Sequence, residues 1–173
     1  MRKISWDNHI KNEYVMSLTV EKGYREENRN HLVYRPIDKD NVAEFSKQDF
    51  IHPSLFRKGR YIGVSIGGAQ VAFLKVVLNG ERGAFFEVKQ SDMCLEKLYV
   101  FPEWRGRGII RDAMSHCICS FFPRGKEKMT ISLYVRTDNA PAIKCYTKMG
   151  FRREGEIKII RLFRDYTLPR TII

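Results

Sequence analysis

The sequence predicts an α/β (α+β) fold, a mixed sheet flanked by helices, and three observations lead there. Short segments alternating apolar and polar residues recur along the chain, separated by turns such as Gly67-Gly68 and Asn79-Gly80. Three segments carry helical features instead, a short one after Asp38 or Asp40, one from about Gly108 and one from Pro141 to Met149. The resulting order, β-α-β-β-β-β-α-β-α-β-β, mixes hairpins with helical crossovers, and such a mixture builds a sheet with helices packed on it.

The elements follow in turn. His31 to Ile37 reads as a short strand, with Pro36 marking an edge or an early end. Asp38 or Asp40 caps a helix through about Phe45, and a turn-rich stretch from His52 to Gly59 follows. Tyr61 to Ile66 and Gln70 to Leu78 form a hairpin around Gly67-Gly68. A second turn leads to a strand over Ala84 to Val88, and Met93 to Val100 is another. The helix from Gly108 carries a buried stripe of Ile110, Ala113, Met114, Cys117 and Phe121, and Phe122-Pro123-Arg124-Gly125 ends it. Ile131 to Val135 is a buried strand. The helix Pro141 to Met149 has proline inside its start and Gly150 just past its end. Phe151 to Ile160 and Tyr166 to Ile172 close the chain as strands. Residues 1–30 form an N-terminal extension of unclear structure: Ile10, Tyr14 and Leu18 fit a helix, while Tyr14 to Val20 fits a strand equally well. The main domain is therefore drawn at 31–173.

A chain of 173 residues, 43% of them hydrophobic, supports one domain with a sizeable core. Its longest apolar runs, such as Ile118 to Phe122, are far too short to cross a bilayer, and the first residues lack a signal core. The expected location is the cytoplasm, with no membrane partner. The four cysteines show neither C-x-x-C pairs nor histidines at ligand spacing, so no metal is expected. Histidines 9, 31, 52 and 116 show no triad spacing with a serine or cysteine, which leaves nucleophilic catalysis without support. The net charge of +11 is uneven: residues 93–173 hold 16 basic and 8 acidic side chains, against 15 and 12 before them. A basic half suits a polyphosphate-bearing ligand, a nucleic acid, or both.

Both informative motifs lie in that half. Leu98 to Gly108 (LYVFPEWRGRG) reads as a strand entering an arginine- and glycine-rich turn that opens a helix. Such a turn presents free backbone amides and a positive dipole end to an anion. Asn139 to Phe151 (NAPAIKCYTKMGF) reads as a capped helix carrying one phenol, with a glycine stop. In this order and separation the two motifs resemble the GNAT superfamily of acyl-CoA-dependent N-acyltransferases. The resemblance spans roughly residues 31 to 172. Arg105, Gly106, Arg107 and Gly108 match the family's phosphate turn, whereas Ile110 stands where the family has glycine or alanine. That side chain either crowds the ligand or turns into the core.

The resemblance implies a mostly antiparallel sheet whose central strands splay to form the acyl-CoA cleft. It assigns the Leu98 amide to the thioester oxygen, Val100 to pantetheine, and the turn Arg105, Gly106, Arg107, Gly108, Ile110 with Arg111 to the phosphates. Asn139 contacts the pantetheine arm or simply caps its helix. Tyr146 faces the CoA sulfur as proton donor, or is a half-buried tyrosine whose ring only packs. Alternation places Cys94, Glu96, Leu98 and Val100 on one face of their strand. Glu96 then serves as general base for the attacking amine, or pairs with a lysine or arginine. The resemblance also implies an acceptor groove more open than usual, because only turn-rich residues separate the first helix from Tyr61.

The function expected is transfer of an acetyl group from acetyl-CoA, the co-substrate, to a primary amine in a ternary complex, without a metal. The acceptor amine sits on a protein, a small molecule or a nucleic-acid-linked group, and a homodimer is compatible. The alternatives are a nucleic-acid-modifying transferase of the same fold with another donor, or a non-catalytic binding module.

Overall fold

The computed structural model describes residues 10–38, 41–42, 60–83, 88, 91–163 and 166–172. The elements are β1 (Ile10–Glu21), β2 (Val33–Ile37), β3 (Arg60–Ile66), β4 (Ala69–Leu78), β5 (Met93–Val100), α1 (Ile109–Phe121), β6 (Lys128–Arg136), α2 (Ala140–Lys148), β7 (Arg152–Phe163) and β8 (Tyr166–Ile172). The strands form one sheet in the order β2-β3-β4-β5-β6-β1-β7-β8. Only β5 and β6 are parallel among these neighbours. The mixed α/β sheet is thus mostly antiparallel, as expected. The helix expected over 38–45, the turn-rich stretch to Gly59 with the open groove inferred from it, and the strand expected at 84–88 lie outside the described residues, apart from a few isolated positions.

Local chemistry explains the best-formed elements. Gly67 and Gly68 both adopt positive φ (54° and 86°), the twist that a two-residue hairpin between β3 and β4 requires. Both helices pack on the same face of the sheet, where Leu74, Val76, Met93, Leu95, Ile131 and Leu133 meet Ala113, Met114, Cys117, Ile118 and Tyr146. The α1 stripe begins at Ile109, which is buried, while Ile110 is only half-buried against the same core. The expected stripe was therefore out of phase by one residue at its start. Full burial continues through Ile118, and Phe121 is half-buried.

Residues 10–21, set apart as part of an extension, form a strand between β6 and β7. Met16 and Val20 are buried with the half-buried Tyr14 and Leu18 against the helix-bearing core, while Ser17 and Thr19 alternate with them. This period of two overrides the helical spacing of Ile10, Tyr14 and Leu18 because partners wait on both edges. A boundary at residue 30 consequently divides one continuous sheet. The connection from β1 to β2 docks on α1. Ser115 Oγ accepts the Glu27 amide at 2.7 Å, and the buried Asp112 carboxylate accepts the Asn30 amide at 3.0 Å and Asn30 Nδ2 at 2.8 Å.

Met16→Ala should therefore cost about 2–5 kcal/mol in urea unfolding, the range for emptying a buried methionine site. Thr19→Ala, on the opposite face of the same strand, should move stability by no more than about 0.5 kcal/mol.

Candidate active site

The sheet opens at its parallel pair. β5 and β6 are paired only at Met93–Ile131, Cys94–Ser132 and Leu95–Leu133, and then part. On its other side β5 stays on β4, with a register shift that sets Glu96 opposite Lys75 and Tyr99 opposite Phe73. Lys97 and Leu98 together face the single residue between those partners, and Lys97 takes a positive φ of 53°. This is a β-bulge, and it turns the backbone of these two residues out of the ladder. It also corrects the simple alternation expected for the strand. Glu96 stays on the face of Cys94, but Leu98 and Val100 pack against the helix-side core. Between the parted strands lies a cleft of about 200 Å³, lined by Glu13, Lys97, Leu98, Tyr134, Val135, Arg136, Asn139 and Tyr146.

Beyond Val100 the chain makes a single 3₁₀ turn, Pro102–Trp104, and enters the glycine-rich turn. Gly106 and Gly108 have φ of 78° and 77°, and Gly108 caps α1 in the left-handed conformation. Among the described residues, no amide from Gly106 to Ile110 donates a hydrogen bond. These are the unpaired donors expected of an anion site at a helix start. Arg105 donates from Nε to the Val100 carbonyl at 3.1 Å and lies over the Tyr99 ring. Arg107 stacks on Trp104, 4.8 Å from the ring centre. The two arginines thus stiffen the turn, and the Val100 carbonyl already has one donor. Arg111 is half-buried in the first turn of α1. A side chain on Gly108 would be strained by that φ and would stand about 4.0 Å from Asn30 Nδ2.

Helix α2 supplies the phenol. Asn139 caps it, its Oδ1 accepting the Ala142 amide at 3.3 Å, and it also lines the cleft. Tyr146 is 7% exposed and tilts against Phe151, with centroids 6.1 Å apart. Gly150 (φ 94°) ends the helix where an added Cβ would meet Leu18 of β1 at 3.3 Å. Among the described residues the Tyr146 hydroxyl has no hydrogen-bond partner. Burial pushes its pKa up to about 12, so the phenol keeps its proton at neutral pH.

The structure does not bring every expected residue to the cleft wall. Glu96 makes a buried ion pair with Lys75 at 2.8 Å, the paired-carboxylate alternative, and does not line the cleft. Desolvation, reinforced by the Glu96 charge, raises the pKa of Tyr61. Conversely, Glu13, Lys97, Tyr134 and Arg136 line the cleft without having been singled out. Glu13 and Arg136 face each other across β1 and β6, a pairing invisible until β1 is known to lie there. Arg136 is also held by Asp138, with Nε 2.9 Å from Oδ1. Among the described residues, no cluster of three His, Cys, Asp or Glu converges as a metal site, and no helix is long and apolar enough to cross a membrane.

The profile of the acetyltransferase (GNAT) family matches residues 14–151. No curated protein matches the sequence. Among solved structures, a GNAT-family acetyltransferase from Novosphingobium aromaticivorans superposes with a TM-score of 0.63 at 19% identity, covering 86% of this chain and 62% of its own. The ribosomal-protein-S18-alanine N-acetyltransferase of Escherichia coli gives 0.54 at 18% identity, covering 82% and 96%. Arabidopsis thaliana NAA60, in complex with acetyl-CoA, gives 0.50 at 16%, covering 70% and 84%. At these identities the likeness is one of fold, and the chain spans less than two thirds of the Novosphingobium protein. The family match covers the glycine-rich turn, the parted strands β5 and β6 and the tyrosine helix alike, and the chain belongs to the acetyltransferase (GNAT) family.

Proposed function

We propose that the protein transfers an acetyl group from acetyl-CoA to a primary amine by direct attack within a ternary complex. The observation that carries this reading is the parting of β5 from β6, with α1, the helix that connects these two strands, entered through five amides that have no hydrogen-bond partner among the described residues. The cleft offers the edges of two strands that have parted from each other to the amide-bearing pantetheine arm, and the turn offers donors to the diphosphate. Leu98, Val100 and Asn139 would hold the arm, and Arg105, Gly106, Arg107, Gly108, Ile110 and Arg111 the phosphate end. Acetyl-CoA supplies the activated acyl group. The amide of Leu98 stabilises negative charge on the thioester oxygen, and Tyr146 gives its proton to the departing sulfur. The NAA60 structure holds acetyl-CoA in a similar fold, which supports this choice of co-substrate. The acceptor amine belongs to a protein, a small molecule or a nucleic-acid-linked group.

Calorimetry should detect CoA binding, and Gly108→Asp should abolish it by adding strain and negative charge where the phosphates lie. An unchanged affinity in that variant would move the site away from the turn.

Tyr146→Phe keeps the ring against Phe151 and removes only the hydroxyl. Single-turnover acetyl transfer should slow by about 10²–10⁴-fold while CoA affinity stays the same. A Phe variant as fast as the wild type would retire the tyrosine as proton donor.

A further inference from the structure

The two sides of the cleft differ in chemistry. Tyr146 and Asn139 reach it from α2, on the helix-bearing face. The opposite face presents Tyr134, which packs with the cluster of Val77, Val88 and Cys94, and alternation puts Arg136 on that same side. Register then places Glu13 there as well, because Glu13 pairs with Arg136 while Tyr14 and Met16 alternate into the helix-side core. Glu13 lines the cleft directly, one strand beyond the β6 wall, or about 4.8 Å across the sheet. Glu96 shares that face but does not line the cleft; its carboxylate pairs with Lys75, and Glu13 in turn lies within the electrostatic reach of Arg136. Both carboxylates raise the pKa of Tyr134 after the larger effect of burial, so the tyrosine lies within the electrostatic reach of each.

A nucleophile and a leaving group are best served by catalytic groups on different sides of the carbonyl. With the proton donor on the helix face, the amine arrives from the other. We propose that Glu13, contributed by the N-terminal strand, receives the acceptor's ammonium at the cleft and takes its proton. This rests on the acetyltransferase reading. The ammonium gives one proton to the Glu13 carboxylate, and the freed lone pair forms the C–N bond to the acetyl carbon. The C–S bond then breaks, the sulfur is protonated by Tyr146, and the nitrogen loses its second proton. One of the two protons lost by nitrogen in effect replaces that of Tyr146, and Glu13 passes the other to solvent.

The test needs no knowledge of the natural acceptor. S-(2-aminoethyl)-CoA carries an ammonium next to the position of the attacking nitrogen, and S-ethyl-CoA is its uncharged counterpart. At pH 7 the wild type should bind the aminoethyl compound about tenfold more tightly than the ethyl one, the scale of a charge-assisted hydrogen bond. Glu13→Gln should erase that preference and leave CoA affinity unchanged, while Glu13→Asp should keep part of it. A preference that survives in Glu13→Gln, or one absent from the wild type despite normal CoA binding, overturns the assignment and spares the acetyltransferase reading. Failure of CoA itself to bind the wild type overturns both. For the proton, a pool of short peptides with free α- and ε-amines serves as acceptor. The rate deficit of Glu13→Gln should shrink as pH rises toward 10, since the amines then arrive uncharged. A deficit independent of pH overturns the proton role.

Discussion

Three residue pairs hold β5 and β6 together, and the site depends on their stopping there. A sheet normally satisfies every backbone donor and acceptor between neighbours, and an open seam leaves such groups without partners. The seam persists because each strand is anchored on its far side. β5 follows β4 through the bulge to Val100, and β6 is paired with β1 from Lys128 to Arg136. The bulge converts a regular strand into one that turns backbone toward the gap. An amide-bearing ligand arm can complete the ladder that the protein leaves unfinished.

Much of this was legible in the residues. The Gly67-Gly68 hairpin, the glycine-rich turn and the Asn139-to-Gly150 helix each rest on local chemistry: positive φ, an N-cap, a helix stop. Such signals act within a few residues, and a sequence carries them openly. What stayed hidden depends on distant partners. β1 has a pattern compatible with two periodicities, and only the pairing edges of β6 and β7 decide between them. The bulge at Lys97 needs a φ that lysine rarely adopts, so no residue preference announces it. Glu96 looked available because Lys75, its partner, stands on another strand. Glu13 went unnoticed for the same reason as β1.

The faces of the sheet also divide the work. One is nearly all aliphatic and carries both helices, so Tyr146 is set by the packing of its ring in that core beside Phe151. The other holds a buried ion pair and several tyrosines amid smaller apolar clusters. Replacing one member of that pair would leave a buried charge uncompensated, which is far costlier than losing a surface bridge. The polar face is therefore constrained in sequence even at residues that do not line the cleft.

The place of β1 has a consequence for how the molecule is made. Its partners on both edges come from the far end of the chain, since residues 10–21 pair with 128–136 and with 152–160. During translation this strand leaves the ribosome well before either of its partners and must wait, with Met16 and Val20 exposed, until both have emerged. Contacts of such high sequence separation slow folding and prolong aggregation-prone states. The strands from β2 to β5 can meanwhile assemble as a series of local pairings. The sheet would then close by insertion of this earlier segment between two later ones, so that the cleft wall contributed by β1 and β6 is completed only after β7 has been made.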